Sequence, residues 1–181
     1  VQNAFVAIED ARFYKHSGVD LQGILRAVFS ALSDEKMTQG ASTITQQLLK
    51  NQVFGGGNEK SFFGKVSRKI QEQSLAIKLE STIDKKKILE YYLNTINLGQ
   101  NTMGVETASK RYFGKSVSKL TVSEAAVLAG ITQNPTEYNP ITEQQNNEAK
   151  RKIILKNMLD QKYITEDEYE EDKLCRGIFL P

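Results

Sequence analysis

Leu120-Thr121-Val122-Ser123-Glu124-Ala125-Ala126-Val127-Leu128-Ala129-Gly130-Ile131 joins a helix start signal to an almost unbroken apolar run. Thr121 followed three residues later by Glu124 is the capping-box pattern, in which each side chain satisfies a backbone N–H of the first turn. Leu120, Val122, Ala125, Ala126, Leu128 and Ala129 cover the helix on every side, so it is expected to be buried all round. Outward from this centre, Thr142 with Gln145 and Thr165 with Glu168 repeat the capping-box spacing, and Ile153, Ile154, Asn157 and Met158 form an amphipathic run. Upstream, Leu21, Ile24, Leu25, Val28, Phe29 and Leu32 recur at helical spacing behind Asp20, and Asp84 precedes Ile88, Leu89, Tyr92 and Leu93. No strand-like alternation is sustained and no Asn-Gly or Asp-Gly hairpin turn occurs, so the fold class is mainly α.

The 181 residues suit a single domain spanning 1–181, a length at which roughly 70% of the unfolded surface is buried. Composition is that of a globular protein, 39% hydrophobic and 25% charged. A net charge of +2 is too balanced to point to nucleic acid as a partner. Charge is nonetheless uneven: acids gather at Glu166, Asp167, Glu168, Glu170, Glu171 and Asp172, bases at Lys60, Lys65, Arg68, Lys69 and Lys85–Lys87. The single cysteine, Cys175, excludes an internal disulfide and a multi-cysteine metal site. No apolar run approaches the roughly 20 residues of a membrane helix. Gly55-Gly56-Gly57-Asn58 reads as a mobile loop, and it is not a phosphate loop, because no Gly-Lys-Ser/Thr follows.

Three polar segments carry the chemistry. Glu9 lies in Glu9-Asp10-Ala11-Arg12-Phe13-Tyr14-Lys15-His16-Ser17-Gly18. Ser42, Thr43, Gln46, Gln47, Lys50 and Asn51 follow Gly40 in a stretch rich in hydrogen-bonding groups able to meet sugar or phosphate oxygens. Arg68, Lys69 and Glu72 share one helical face. Each has a bland reading as well: a surface ion pair between Glu9 or Asp10 and Arg12, a Ser/Thr helix cap, an exposed i,i+4 pair. His16, the only histidine, and Phe13 read first as packing residues.

Taken together, these segments resemble the motifs of glycosyltransferase family 51, the peptidoglycan polymerases, over roughly residues 4–160. Ala41, where many relatives carry a second glycine, is a mild departure. The resemblance implies a lysozyme-like helical globular lobe with a smaller, apolar, membrane-facing jaw lobe. Phe54, Phe62 and Phe63 are candidates for the jaw or its loop and equally for core, whereas Phe29 is read as core. It implies Glu9 as general base, Glu72 as the second essential carboxylate, and Arg68 and Lys69 at a pyrophosphate. Asp10, Phe13, His16, Ser42, Thr43, Gln46, Gln47, Lys50 and Asn51 are the implied substrate-binding set. Lys87–Asn94 and Ala149–Lys152 match further motifs and are assigned to scaffold, with an expected Glu90–Arg151 ion pair.

The implied reaction joins lipid II to a growing lipid-linked glycan chain, β-1,4 and with inversion, releasing undecaprenyl pyrophosphate. No cofactor is required by this reading; a divalent cation, Mg2+ or Mn2+, held by Asp10 and Glu72 stays open. Partners are then the bacterial membrane surface and moenomycin-type inhibitors, and the place of work is the outer face of the cytoplasmic membrane. The chain is expected to be an excised piece, with an anchor before it and a transpeptidase domain as one possibility after it. Two rival classes remain: a lysozyme-like lytic enzyme, and a non-catalytic cell-wall binding module.

Overall fold

A computed structural model of the chain describes residues 1–32, 40–57 and 59–174; Asn58 and Cys175, and the side chains of Val28 and Leu32, lie outside the described set. Nine α-helices and one 3-10 turn (Val117–Lys119) are present among the described residues, and no strand. Backbone contacts divide the chain into two compact units, residues 12–92 and the remainder, 1–11 with 93–181.

In the second of these units the all-apolar stretch behaves as expected. Helix α7 (Val122–Ile131) starts with the Thr121–Glu124 capping box and is buried at Ser123 and from Ala125 to Ile131. Helix α1 (Gln2–Glu9) and helix α8 (Gln144–Asp160) pack on it, contributing Phe5, Ile8, Ile154, Leu155 and Met158 to the core. Helix α9 (Glu166–Leu174) begins at the Thr165–Glu168 box, whose two reciprocal bonds measure 2.8 and 3.2 Å. The third box fails. Asn139 Oδ1 accepts from the Ile141 and Thr142 N–H groups, which holds the chain in an Asx-type turn through Thr142, and α8 starts later, behind Glu143, with no side-chain cap. The expected Glu90–Arg151 pair is also replaced: Glu90 pairs with Lys87, whereas buried Arg151 binds Glu148, Ser123 Oγ and the Asp172 carbonyl.

The unit of residues 12–92 contains α2 (Leu21–Leu32), α3 (Ile44–Gln52), α4 (Phe62–Glu80) and most of α5 (Lys85–Thr95). The cap expected at Asp20 is made to the Gly23 amide, and that at Asp84 to the Lys87 amide. Gly18 ties the unit together. Its φ of +90° is a left-handed conformation, and a Cβ there would lie 2.5 Å from the Ala76 backbone of α4, so only glycine fits. Its carbonyl accepts from Thr43 Oγ1 and Gln46 Nε2, which joins the loop to α3 as well.

Two rows of apolar side chains in this unit are not core. Leu21, Leu25 and Phe29 on α2, and Phe62, Val66 and Ile70 on α4, recur every fourth residue and are exposed. Phe29, read as core from its periodicity, is 69% exposed, and Phe63 beside Phe62 is 83% exposed. Periodicity identified the helix but not the medium its apolar face meets. Phe54 is half-buried.

Candidate active site

Glu9 ends α1 and is buried, 7% exposed. A carboxylate at a helix C-terminus opposes the macrodipole at a cost of about 0.3–1 kcal/mol, and burial adds to that, so packing alone does not call for an acid here. The Thr132 hydroxyl, at the end of α7, donates to Glu9 Oε1; it also lies 2.8 Å from the Ala129 carbonyl, a weaker acceptor than a carboxylate. From α8, buried Lys150 donates to Gln133 Oε1 at 2.6 Å and stands 5.5 Å from the Tyr138 ring centroid. Burial pushes the Lys150 ammonium below its ordinary pKa, with the charges of Glu9 and Glu137 opposing that shift. Asp10, the residue after the helix, is buried too.

The cluster in residues 12–92 is built on α4. Ser61 caps that helix through the Gly64 amide, and Arg68, Lys69 and Glu72 follow on one face. Glu72 is 1% exposed and carries both cations: Arg68 Nη1 donates to Oε1, and Lys69 Nζ to Oε2 at 3.2 Å. Arg68 Nε also donates to Glu59 at 2.7 Å. That bond is the main reason the guanidinium is held above its usual pKa and the Glu59 carboxyl below its own. Lys69 reaches Ser42 Oγ at 2.8 Å and Gln46 Oε1 at 3.1 Å, so one ammonium gathers α4, α3 and the segment before α3. The glycine turn closes over this cluster: Gly55, Gly56 and Gly57 all have positive φ, and a Cβ on Gly57 would meet Lys50 Cε and Arg68 Cζ at 2.9 and 3.0 Å.

The other predicted residues sort by what they touch. Thr43 is buried and caps α3, accepting from the Gln46 amide while donating to Gly18. Gln47 accepts from the Tyr92 hydroxyl at 3.2 Å, and Asn51 is exposed on the last turn of α3. Phe13 is fully buried with Lys85 Nζ 4.3 Å from its ring centroid, and the same ammonium stands 3.3 Å from His16 Nδ1 and bonds Glu80. Arg12 pairs with Asp20 at 3.1 Å and bonds Gln22.

Sequence reading missed Thr132, Lys150, Glu59 and Lys85. The signal for Lys150 was present: Asn147, Arg151, Ile154 and Met158 mark the buried stripe of α8, and a lysine beside it asks for a reason. No three His, Cys, Asp or Glu side chains cluster to hold a metal ion among the described residues. Both Glu72 oxygens face cations, a donor set that does not fit a divalent ion.

A family model described as transglycosylase matches residues 1–159. Penicillin-binding protein 1A of Haemophilus influenzae is 46% identical over 168 residues, covering 93% of this chain and 19% of that protein. The Aquifex aeolicus protein of that name is 46% identical over 171 residues, 94% of this chain and 23% of its own length. For Escherichia coli the figures are 45% over 170 residues, 94% and 19%. The crystal structure of the Haemophilus influenzae protein superposes with a TM-score of 0.52 at 39% identity, over 55% of this chain and 15% of that one. The chain thus spans about a fifth of the length of the curated relatives it matches.

Proposed function

The chain belongs to the transglycosylase family, the peptidoglycan glycosyltransferases, with their lysozyme-like helical fold, and from that premise we propose that it polymerises lipid II into β-1,4 glycan strands. The acceptor is lipid II and the donor a lipid-linked glycan chain. Glu9 takes the proton from the acceptor's 4-hydroxyl. The freed oxygen attacks the donor's anomeric carbon from the face opposite the leaving group, and the C1–O bond breaks with its electron pair passing to the pyrophosphate. Inversion and release of undecaprenyl pyrophosphate follow.

The leaving group departs as an anion, so fixed cations do there what a general acid does in a hydrolase. Arg68 and Lys69 fill that role, and Glu72 holds both in place. The observation that carries the reading is Lys69, whose ammonium is fixed by Glu72, Ser42 and Gln46 together. Lys50, beside the glycine turn, adds a point charge. Asn51 and Gln47 flank the same helix as further donor contacts, with Asp10 beside the base, whereas Thr43, Phe13 and His16 shape the fold around them.

The exposed apolar rows on α2 and α4 support a membrane-facing jaw: large apolar side chains left in rows on a surface mark a docking or lipid-binding face. No described helix is long and apolar enough to cross a membrane. In this reading they dip into the outer face of the bacterial cytoplasmic membrane, where the lipid-linked substrates reside. A phosphoglycolipid of the moenomycin type, carrying a phosphate and sugars, would compete at the cation cluster.

The test is incubation of the chain with purified lipid II in detergent, with and without Glu9→Gln, and gel separation of the glycan products. Polymer from the parent and none from the variant is expected. Untouched lipid II together with shortened preformed glycan would establish lytic activity instead. Peptidoglycan binding with no turnover in either direction would leave a binding module.

A further inference from the structure

The loop after α5 and the segment between α7 and α8 line an open cleft of about 620 Å3 in the same unit as Glu9. We propose that this cleft, walled by Asn97, Gln100, Asn101, Thr136, Asn139 and Met103, binds an uncharged, N-acetylated oligosaccharide.

Its lining is amide, hydroxyl and thioether, with no ionisable side chain. A phosphate or carboxylate would find no cation there, unlike at the Arg68–Lys69 cluster. The Gln100 and Asn101 amides offer a donor and an acceptor each, and Asn97 and Asn139, whose oxygens are taken by backbone N–H groups, offer donors; these match sugar hydroxyls and acetamido groups, and exposed Met103 supplies an apolar face for the sugar's C–H surface. The volume lies within the range of built ligand pockets.

The walls are fixed in advance, which keeps the ordering cost of binding low. On one side Leu98 N–H donates to the Thr102 carbonyl, the Thr102 hydroxyl to Gly99, and the Tyr112 hydroxyl to Leu98 at 2.8 Å. On the other, Asn139 holds the Ile141 and Thr142 amides and Asn147 Nδ2 donates to the Tyr138 carbonyl. Gly99, Gln100 and Asn101 run consecutively in left-handed conformation, with φ of 76°, 48° and 56°. Two of these are not glycine, a strain of the kind found at ligand clamps. It sets two exposed amide side chains at the rim, and neither makes a hydrogen bond within the fold among the described residues.

The cleft also lies close to the proposed base along the chain. Thr132 and Gln133 touch Glu9 and Lys150, and the wall begins at Pro135. Three residues of chain span at most about 11 Å. A strand lying in the cleft would therefore be held near the reacting sugars. The identity of that strand as product glycan rests on the polymerase reading; the binding itself does not.

The probe is a soluble β-1,4-linked tetramer of N-acetylglucosamine, titrated into the whole chain by calorimetry and followed by amide NMR. The double variant Gln100→Gly/Asn101→Gly keeps the left-handed turn while removing both amides. Thr136→Val tests the opposite wall. Shifts confined to 97–103 and 135–142 are expected, with affinity weakened roughly tenfold by the double variant. No binding, shifts elsewhere, or unchanged affinity in both folded variants would overturn the proposal. So would tighter binding of inorganic pyrophosphate that the same variants abolish. Saccharide binding without polymer from lipid II would overturn the polymerase reading and leave the cleft standing.

Discussion

Glu9 and Glu72 are the same side chain, both buried, in different surroundings. Glu72 is clasped on each oxygen by a cation from its own helix, and those cations reach on to Glu59, Ser42 and Gln46. Glu9 ends its helix, takes a hydroxyl hydrogen bond from Thr132, and lies in the field of a buried lysine whose ammonium is bonded to Gln133. A carboxylate that organises two positive charges is an anchor. Glu9, which the proposal makes the base, instead takes a hydroxyl hydrogen bond at a helix C-terminus.

Four variants probe that contrast. Glu9→Gln keeps the shape and the Thr132 contact but removes the proposed base, and polymer formation from lipid II is expected to fall about 10²–10⁴-fold with folding intact. Arg68→Ala should lower the rate about 10²-fold. Arg68→Lys should rescue little of it, because an ammonium lacks the rigid planar fork that meets Glu59 through Nε and Glu72 through Nη1; full rescue in the same gel assay would reduce the cluster to bulk positive charge. Thr132→Val removes the donor to Glu9 and is expected to cost roughly tenfold in kcat with little change in KM. An effect on KM alone would make Thr132 a substrate contact.

The smallest effect concerns the start of α2, in the same unit as the cation cluster. Burial pushes Asp20 up, but the Gly23 amide and Arg12 together outweigh it, and its pKa lies below the ordinary value. The folded form thus holds the proton less tightly than the unfolded one. The resulting stability is complete above the ordinary carboxylate range and is lost as pH falls through the lowered value. Asp20→Ala should therefore destabilise by about 1 kcal/mol near neutral pH. Chemical denaturation should show the gap to the parent closing in acid, and a gap independent of pH would remove the carboxylate from the account.

Local interactions were legible in the sequence and tertiary ones were not. Asp20, Asp84, Thr121 and Thr165 cap the helices their spacing announced, because a cap needs only three or four residues of chain. Thr142 failed for the same local reason read one step too late: Asn139 had already taken its amide. The Arg68–Glu72 pair was visible from i,i+4 spacing. Thr132 against Glu9 was not, since 123 residues separate them and nothing local marks the contact. The amphipathic period of α2 was correct, yet a period states that a face is apolar and not whether protein or lipid covers it. Leu21, Leu25 and Phe29 follow that period and are exposed.

The decisive measurement pairs two readouts on three proteins: binding of undecaprenyl pyrophosphate in detergent micelles, and polymer formation from lipid II, for the parent, Glu9→Gln and Lys69→Ala. The account predicts that Glu9→Gln binds the pyrophosphate as the parent does while making no polymer, and that Lys69→Ala loses both. Loss of binding in Glu9→Gln, or parental binding in Lys69→Ala, would contradict the division of labour between the two carboxylates.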